Sequence, residues 1–492
     1  MAKWQAAAWA VLIAATPAAG QEEHHNHPVP ERLGAVHFAT SCAAGVAPAF
    51  DRAVALLHSF AYAAADKAFA DVAARDPGCA MADWGRAMSH YHQLWEVTAG
   101  TELAAGAAEI GKAEASPSGT VRERALIAAL GQYYAEADRV APALRAMRYS
   151  DAMAAVARDN PADDEVQVFY ALSLIATASP GDHSHARQKR AADILEPIWK
   201  RQPQHPGVPH YLIHAYDSAE LAPRGLAAAR LYATIAPSAP HALHMPSHIF
   251  TRLGLWQDSV TSNLASRAAA HAEGDVGEEL HAMDYLVYAY LQLGRTSDAR
   301  QVVASLARLG PLPAKVFKVG YAGNAMTVRL AVESRDWQTA AELTPLPGSA
   351  PQVAALVWWA RALGRLRGPN PVSADSDIAQ LKLCSDAVRA AGDAYWAPQV
   401  DALLKSAEGW RAAAAGDSAG AIAALTVAAD EEDALEKLPL TPGPIVPARE
   451  QLGELYLKLD QRQAALANFR TALVEAPGRR GALQGAAKAT RH

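Results

Sequence analysis

The chain has 492 residues, more than one hydrophobic core usually serves, so it is either several domains or an array of repeats. At 51% hydrophobic and 20% charged it is not a disordered chain. A formal charge of −6 and a pI near 6.3 give no electrostatic basis for binding nucleic acid. Alanine is abundant and β-branched runs of period two are scarce, which predicts a chain that is nearly all helix.

At the N-terminus, Lys3 precedes an apolar run from Trp4 to Ala15, and Ala18-Ala19-Gly20 offers a cleavage site before Gln21. Residues 1–20 therefore read as a secretory signal peptide. No later apolar stretch reaches the ~18 residues a membrane span needs, so a periplasmic or secreted protein without a span is expected. Cys42 lies too far from the signal region for a lipid anchor. Residues 21–45 form a polar segment in which His24, His25 and His27 could bind Cu(II) or Zn(II) loosely. Because a flexible ligand set loses chain entropy on binding, a solvated tail is the simpler reading. Cys42, Cys79 and Cys384 are the only cysteines. An oxidising compartment permits one disulfide, with Cys42–Cys79 the favoured pair against three small buried thiols.

Helical repeats begin near Pro48. Phe50 to Asp76 reads as a helix, a turn and a second helix stopped by Pro77, with small Ala65 at a helix crossing and Phe69 filling the gap beside it. Trp84-Gly85 supplies a large-then-small pair for the next helix to pack on. Further units run from about Thr120 to Pro161, Ala162 to Pro203 and Leu280 to Pro311, and weaker ones continue to about Ala434. Insertions at Ser179–His183, Gly368–Ser373 and Pro439–Pro447 mark loops. The expected organisation is residues 46–203, then a histidine-bearing centre at 204–311, then 312–478 and a tail at 479–492.

The central segment is the most informative. His210 and His214 stand four apart, as do His244 and His248, and the second pair follows the first by 34 residues. That offset is a helix-pair repeat period. With Leu452, Gly453, Tyr456, Ala465, Phe469, Ala472 and Pro477 at the signature places of the last unit, the array resembles the tetratricopeptide-repeat superfamily over roughly Pro48 to Gly478. The stretches His210-Tyr-Leu-Ile-His214-Ala-Tyr-Asp217 and His241-Ala-Leu-His244-Met-Pro-Ser-His248-Ile-Phe resemble, more narrowly, a group of secreted bacterial proteins of that kind. The resemblance implies an α-solenoid of about ten helix pairs curved around a concave groove, and no particular reaction.

With each unit numbered so that its terminating proline is place 32, His210 and His214 fall at places 5 and 9 and Asp217 at 12. His241, His244 and His248 fall at 2, 5 and 9 of the next unit, and His281 and Asp284 at 2 and 5 of the one after. These places make one stripe at helical spacing, which by resemblance lines the groove. Two i, i+4 histidine pairs on neighbouring helices are expected to converge on one ion, with Asp217 or Asp284 completing its shell or orienting a ligating ring. Imidazole without nearby thiolate suits Zn(II), Cu(II), Ni(II) or non-haem Fe(II). His58, His90 and His92 read as structural, Tyr211, Tyr216 and Tyr288 as packing residues, and Asp430–Asp433 as a solvated helix end. No Gly-rich phosphate loop or H-E-x-x-H occurs. The leading expectation is an exported scaffold that binds a divalent transition metal and a protein or peptide partner in the groove. A metal-dependent oxidoreductase or hydrolase, and a metal-free adaptor, are the alternatives.

Overall fold

The computed structural model describes residues 31–94, 98 and 100–491. The signal-peptide reading and His24, His25 and His27 lie outside the described residues. Among the described residues there are twenty-four α-helices and no strand. Each helix packs chiefly on the ones before and after it, as in a solenoid of antiparallel pairs. No described helix is long and apolar enough to cross a membrane.

The packing rule read from the sequence operates at both ends of the array. Gly85 sits so close to Phe69 that a Cβ there would meet the ring at 2.4 Å, and Gly453 would meet Phe469 at 2.8 Å. Phe69, Trp84, Ala65 and Phe469 are all buried. Cys42 and Cys79 are joined by a disulfide. It ties an extended N-terminal segment, whose Leu33 and Phe38 are buried, to the first helix pairs.

Two features depart from the expected organisation. The stretch after residue 478, read as a tail, forms the helix Arg480–Ala489, and Arg479 at its start is fully buried. The loop from Leu435 to Pro447 does not hang outside the array but crosses its middle. Lys437 pairs with Asp217 at 2.9 Å, Arg252 with Glu436 at 3.1 Å, and Tyr285 donates to the Thr441 carbonyl at 3.1 Å. The chain's own backbone thus packs against the histidine-bearing units. The run Asp430–Asp433 is only partly solvated: Glu432 turns inward and accepts the Ala448 N–H.

Candidate metal centre

Three successive units build the centre. Helix Gly207–Ala215 carries His210 and His214 and is followed by Ala222–Ile235. The next first helix is interrupted: Pro240–His244 and Pro246–Arg252 meet at Met245, which keeps helical φ and ψ. Pro246 lacks the N–H that would continue the ladder, so the rod breaks there without losing its direction. His244 and His248 therefore still share a face. Helix Val276–Gln292 follows and carries His281 and Asp284.

The six histidines are at most 7% exposed, and they sort into two sets of three. In the first, His210 Nε2 lies 3.2 Å from both His214 Nε2 and His241 Nε2. In the second, His244 Nε2 lies 3.0 Å from His248 Nε2, and His281 completes the group within 4.8 Å. Each set is thus an i, i+4 pair joined by the place-2 histidine of the following unit. This corrects the expectation that His210, His214, His244 and His248 surround a single point. Each pair is completed by its downstream neighbour because successive helices are rotated and displaced along the array.

The outer nitrogens decide what the inner ones can do. The His210 Nδ1–H donates to the His58 carbonyl at 2.6 Å, and a carbonyl can only accept. His244 Nδ1 donates to Asn263 Oδ1 at 2.6 Å; the Asn263 amide nitrogen donates to the Ser259 carbonyl, which fixes that orientation. His248 Nδ1 donates to Asp217 Oδ2 at 2.9 Å, and His241 Nδ1 faces Glu278 Oε2 at 3.5 Å. Neutral rings with Nδ1 protonated present bare lone pairs at Nε2. Two such lone pairs 3.0 Å apart repel unless a cation lies between them. A proton is disfavoured: burial and the neighbouring histidines push His210, His214, His244 and His281 well below the usual imidazole range. Burial also brings His248 down to about 4, even against the pull of Asp217.

The two acids have different fates. Asp217 accepts from His248, Arg252 and Lys437; although burial alone would raise it, Lys437 and Arg252 hold it well below the usual carboxylate range. It lies in neither set of three and holds the His248 ring through its outer nitrogen. Asp284 stands apart from both sets, paired with Arg329 at 3.4 Å, and its burial raises it. Glu278 was not singled out from the sequence. Burial would raise it too, but Lys318 and His241 keep it well below the carboxylate range.

Aromatic rings cover the sets. Phe60 lies 4.4 Å, 5.7 Å and 5.5 Å, centroid to centroid, from His210, His214 and His241. Tyr285 lies 4.7 Å, 5.2 Å and 5.3 Å from His244, His248 and His281. Phe60 has a φ of 54°, a conformation a phenylalanine adopts only when its surroundings hold it there. Two cavities reach the first set from different sides. One is lined by His214, Asp217, Ser218 and Lys437, the other by Phe60, His241 and Glu278.

A third buried group, His58, Glu165 and His205, also brings three possible ligands together. His58 Nε2 and His205 Nε2 each lie 3.0 Å from one oxygen of the buried Glu165. The other His58 nitrogen meets Tyr211 Oη and the other His205 nitrogen accepts the Gly207 N–H, so this group satisfies itself. His90 pairs with Glu102, and His92 stacks on Tyr62. Asn263, Glu278 and Phe60 were missed in the sequence because no spacing links them to the histidine stripe.

No protein-family profile and no curated protein sequence matches the chain. Among solved structures it is similar to the "APC/C hetero-tetramer Cut9-Hcn1", at 11% identity over 91% of this chain and 76% of that one, with a TM-score of 0.40. It is also similar to a monomeric mutant of IFIT1 with Gppp-AAAA, at 11% identity over 83% and 90%, TM-score 0.37. The "P58(IPK) TPR Domain" aligns at 12% identity over 91% and 98%, TM-score 0.21. At such identities and scores the likeness bears on no residue of the histidine centre.

Proposed function

We propose that this protein is an exported helical-repeat scaffold that holds transition-metal ions at its buried trihistidine sets. The observation that carries the reading is the approach of His244 Nε2 to His248 Nε2 at 3.0 Å with both outer nitrogens already committed as donors. A ligating histidine ordinarily hands its other N–H to a carboxylate, amide or backbone oxygen; three of the six rings here do so, and His241 Nδ1 faces Glu278 Oε2 at 3.5 Å. All-imidazole sets suit Zn(II), Cu(II), Ni(II) or Fe(II). A protein or peptide partner would use whatever concave surface the Leu435–Pro447 loop leaves free.

A metal-dependent enzyme is the second reading, favoured by one specific feature. Three histidines leave part of a coordination sphere open, as catalytic sites do, and cavities reach His214 and His241. The first experiment is metal analysis of protein purified without a polyhistidine tag, alongside His210→Ala and His244→Ala. Each variant is expected to lose metal. Adding the bound metal at ~100 times its dissociation constant should stabilise the metal-free protein by about 2.7 kcal/mol in thermal unfolding. Unchanged metal content in both variants sinks the reading.

A further inference from the structure

The repeat that builds one trihistidine set builds its copy in the next unit, and the two copies share a helix segment. Pro240–Arg252 gives His241 to the first set and His244 and His248 to the second. Where the sets meet, the His214 and His248 rings lie 6.0 Å apart, and His241 and His244 lie 6.2 Å apart, centroid to centroid. Each set has its own aromatic cover, Phe60 against the three rings of the first and Tyr285 against the three of the second. Three imidazoles leave each ion room for a further ligand, and sets this close can share one.

Charge identifies that ligand. Six neutral imidazoles contribute nothing against two cations. The adjoining carboxylates are already balanced, Asp217 by Arg252 and Lys437 and Glu278 by Lys318. Uncompensated charge in a buried site is costly, so a pair of divalent ions here requires an added anion. The cavity lined by His214 gives it a route to the first set. Resting on the metal reading above, we infer that the two sets form one dinuclear centre whose ions share a small bridging anion, hydroxide at rest and replaceable by azide.

The test uses the whole untagged protein, stripped of metal and reloaded with Cu(II). Expected are two copper ions per chain, an electron paramagnetic resonance signal well below that of two isolated ions, and one azide bound per two coppers. His241→Gln and His281→Gln each remove one set's third ligand. Each variant should keep one copper, show the full signal of an isolated ion and lose the azide-dependent spectral change. Circular dichroism checks that the variants fold, and the wild-type arms decide the matter without them. A single copper, or two coppers with additive signals and no shared azide, overturns the dinuclear centre while leaving metal binding intact. No copper at all overturns the metal reading itself.

Discussion

Asn263 shows how much of a site's chemistry one amide can set. Its nitrogen donates to the Ser259 carbonyl and its oxygen takes the His244 Nδ1–H, so His244 has no freedom of tautomer. Asp217 does the same for His248 and is held ionised by Arg252 and Lys437. These groups should matter to metal affinity although neither would touch the ion. Asn263→Ala and Asp217→Asn are expected to weaken binding by about 10–100-fold in isothermal titration, while His90→Ala leaves it unchanged. Equal affinities would show that ring orientation is fixed by packing alone. The histidines themselves were legible because a repeat stamps the same residue on the same helical place every 34 positions. Asn263 and Glu278 were not, since Asn263 lies on a second helix and Glu278 on the next first helix, where no period relates them to a ligand.

Glu165 works between elements. It starts the helix Asp164–Ala176, receives His58 from the end of Ala47–His58, and receives His205 from the turn before Gly207–Ala215. Gly207 is needed at that junction: a Cβ there would lie 2.7 Å from His58 Nδ1. The same corner presents the His58 carbonyl to His210, so a contact between elements reaches the centre through backbone. Burial would raise Glu165, but His205 and His58 outweigh it and bring the carboxyl down to about 2 from an ordinary 4.5. A depressed carboxylate contributes stability that is present above pH 4.5 and lost as pH falls through about 2. Glu165→Gln keeps the shape but sets an amide N–H against a histidine N–H. It should cost about 1–3 kcal/mol at pH 7 by denaturant unfolding, and the difference from wild type should close between pH 4.5 and 2. A difference that is flat with pH would mean the carboxylate charge is not what joins these elements. Sequence reading located the helices here through their prolines and alanines. The Glu165 junction escaped it because its three residues lie far apart in the chain, and burial, invisible in sequence, is what makes them a unit.

At the scale of the molecule, a repeat array ordinarily unfolds piecemeal because each unit touches only its neighbours. This chain escapes that rule by turning back on itself. Trp256 Nε1 donates to the Gly478 carbonyl at 3.1 Å, and the Arg480 N–H reaches Gln292 at 2.9 Å. Arg329 donates to the Gly443 and Pro444 carbonyls from the opposite side of the crossing loop. Arg479 is the bolt: fully buried, it pairs with Glu333 at 2.8 Å and Glu450 at 2.5 Å and donates to the Ile445 carbonyl at 3.2 Å. These partners come from three stretches of sequence, which is why reading the end of the chain as a plain tail missed the closure. Removing one member of such a group strands the others in a dry interior, a loss of about 3–5 kcal/mol where a buried pair is broken. Arg479→Ala is therefore expected to lower stability by that order and to melt in two calorimetric transitions, the terminal helices first, where the wild-type protein is expected to melt in one. Arg335→Ala, which removes an exposed cation from Glu454, serves as the control and should shift stability by less than ~1 kcal/mol. If Arg479→Ala melts in one transition at the wild-type temperature, the closure does not couple the two halves, and the centre between them is held by neighbouring repeats alone.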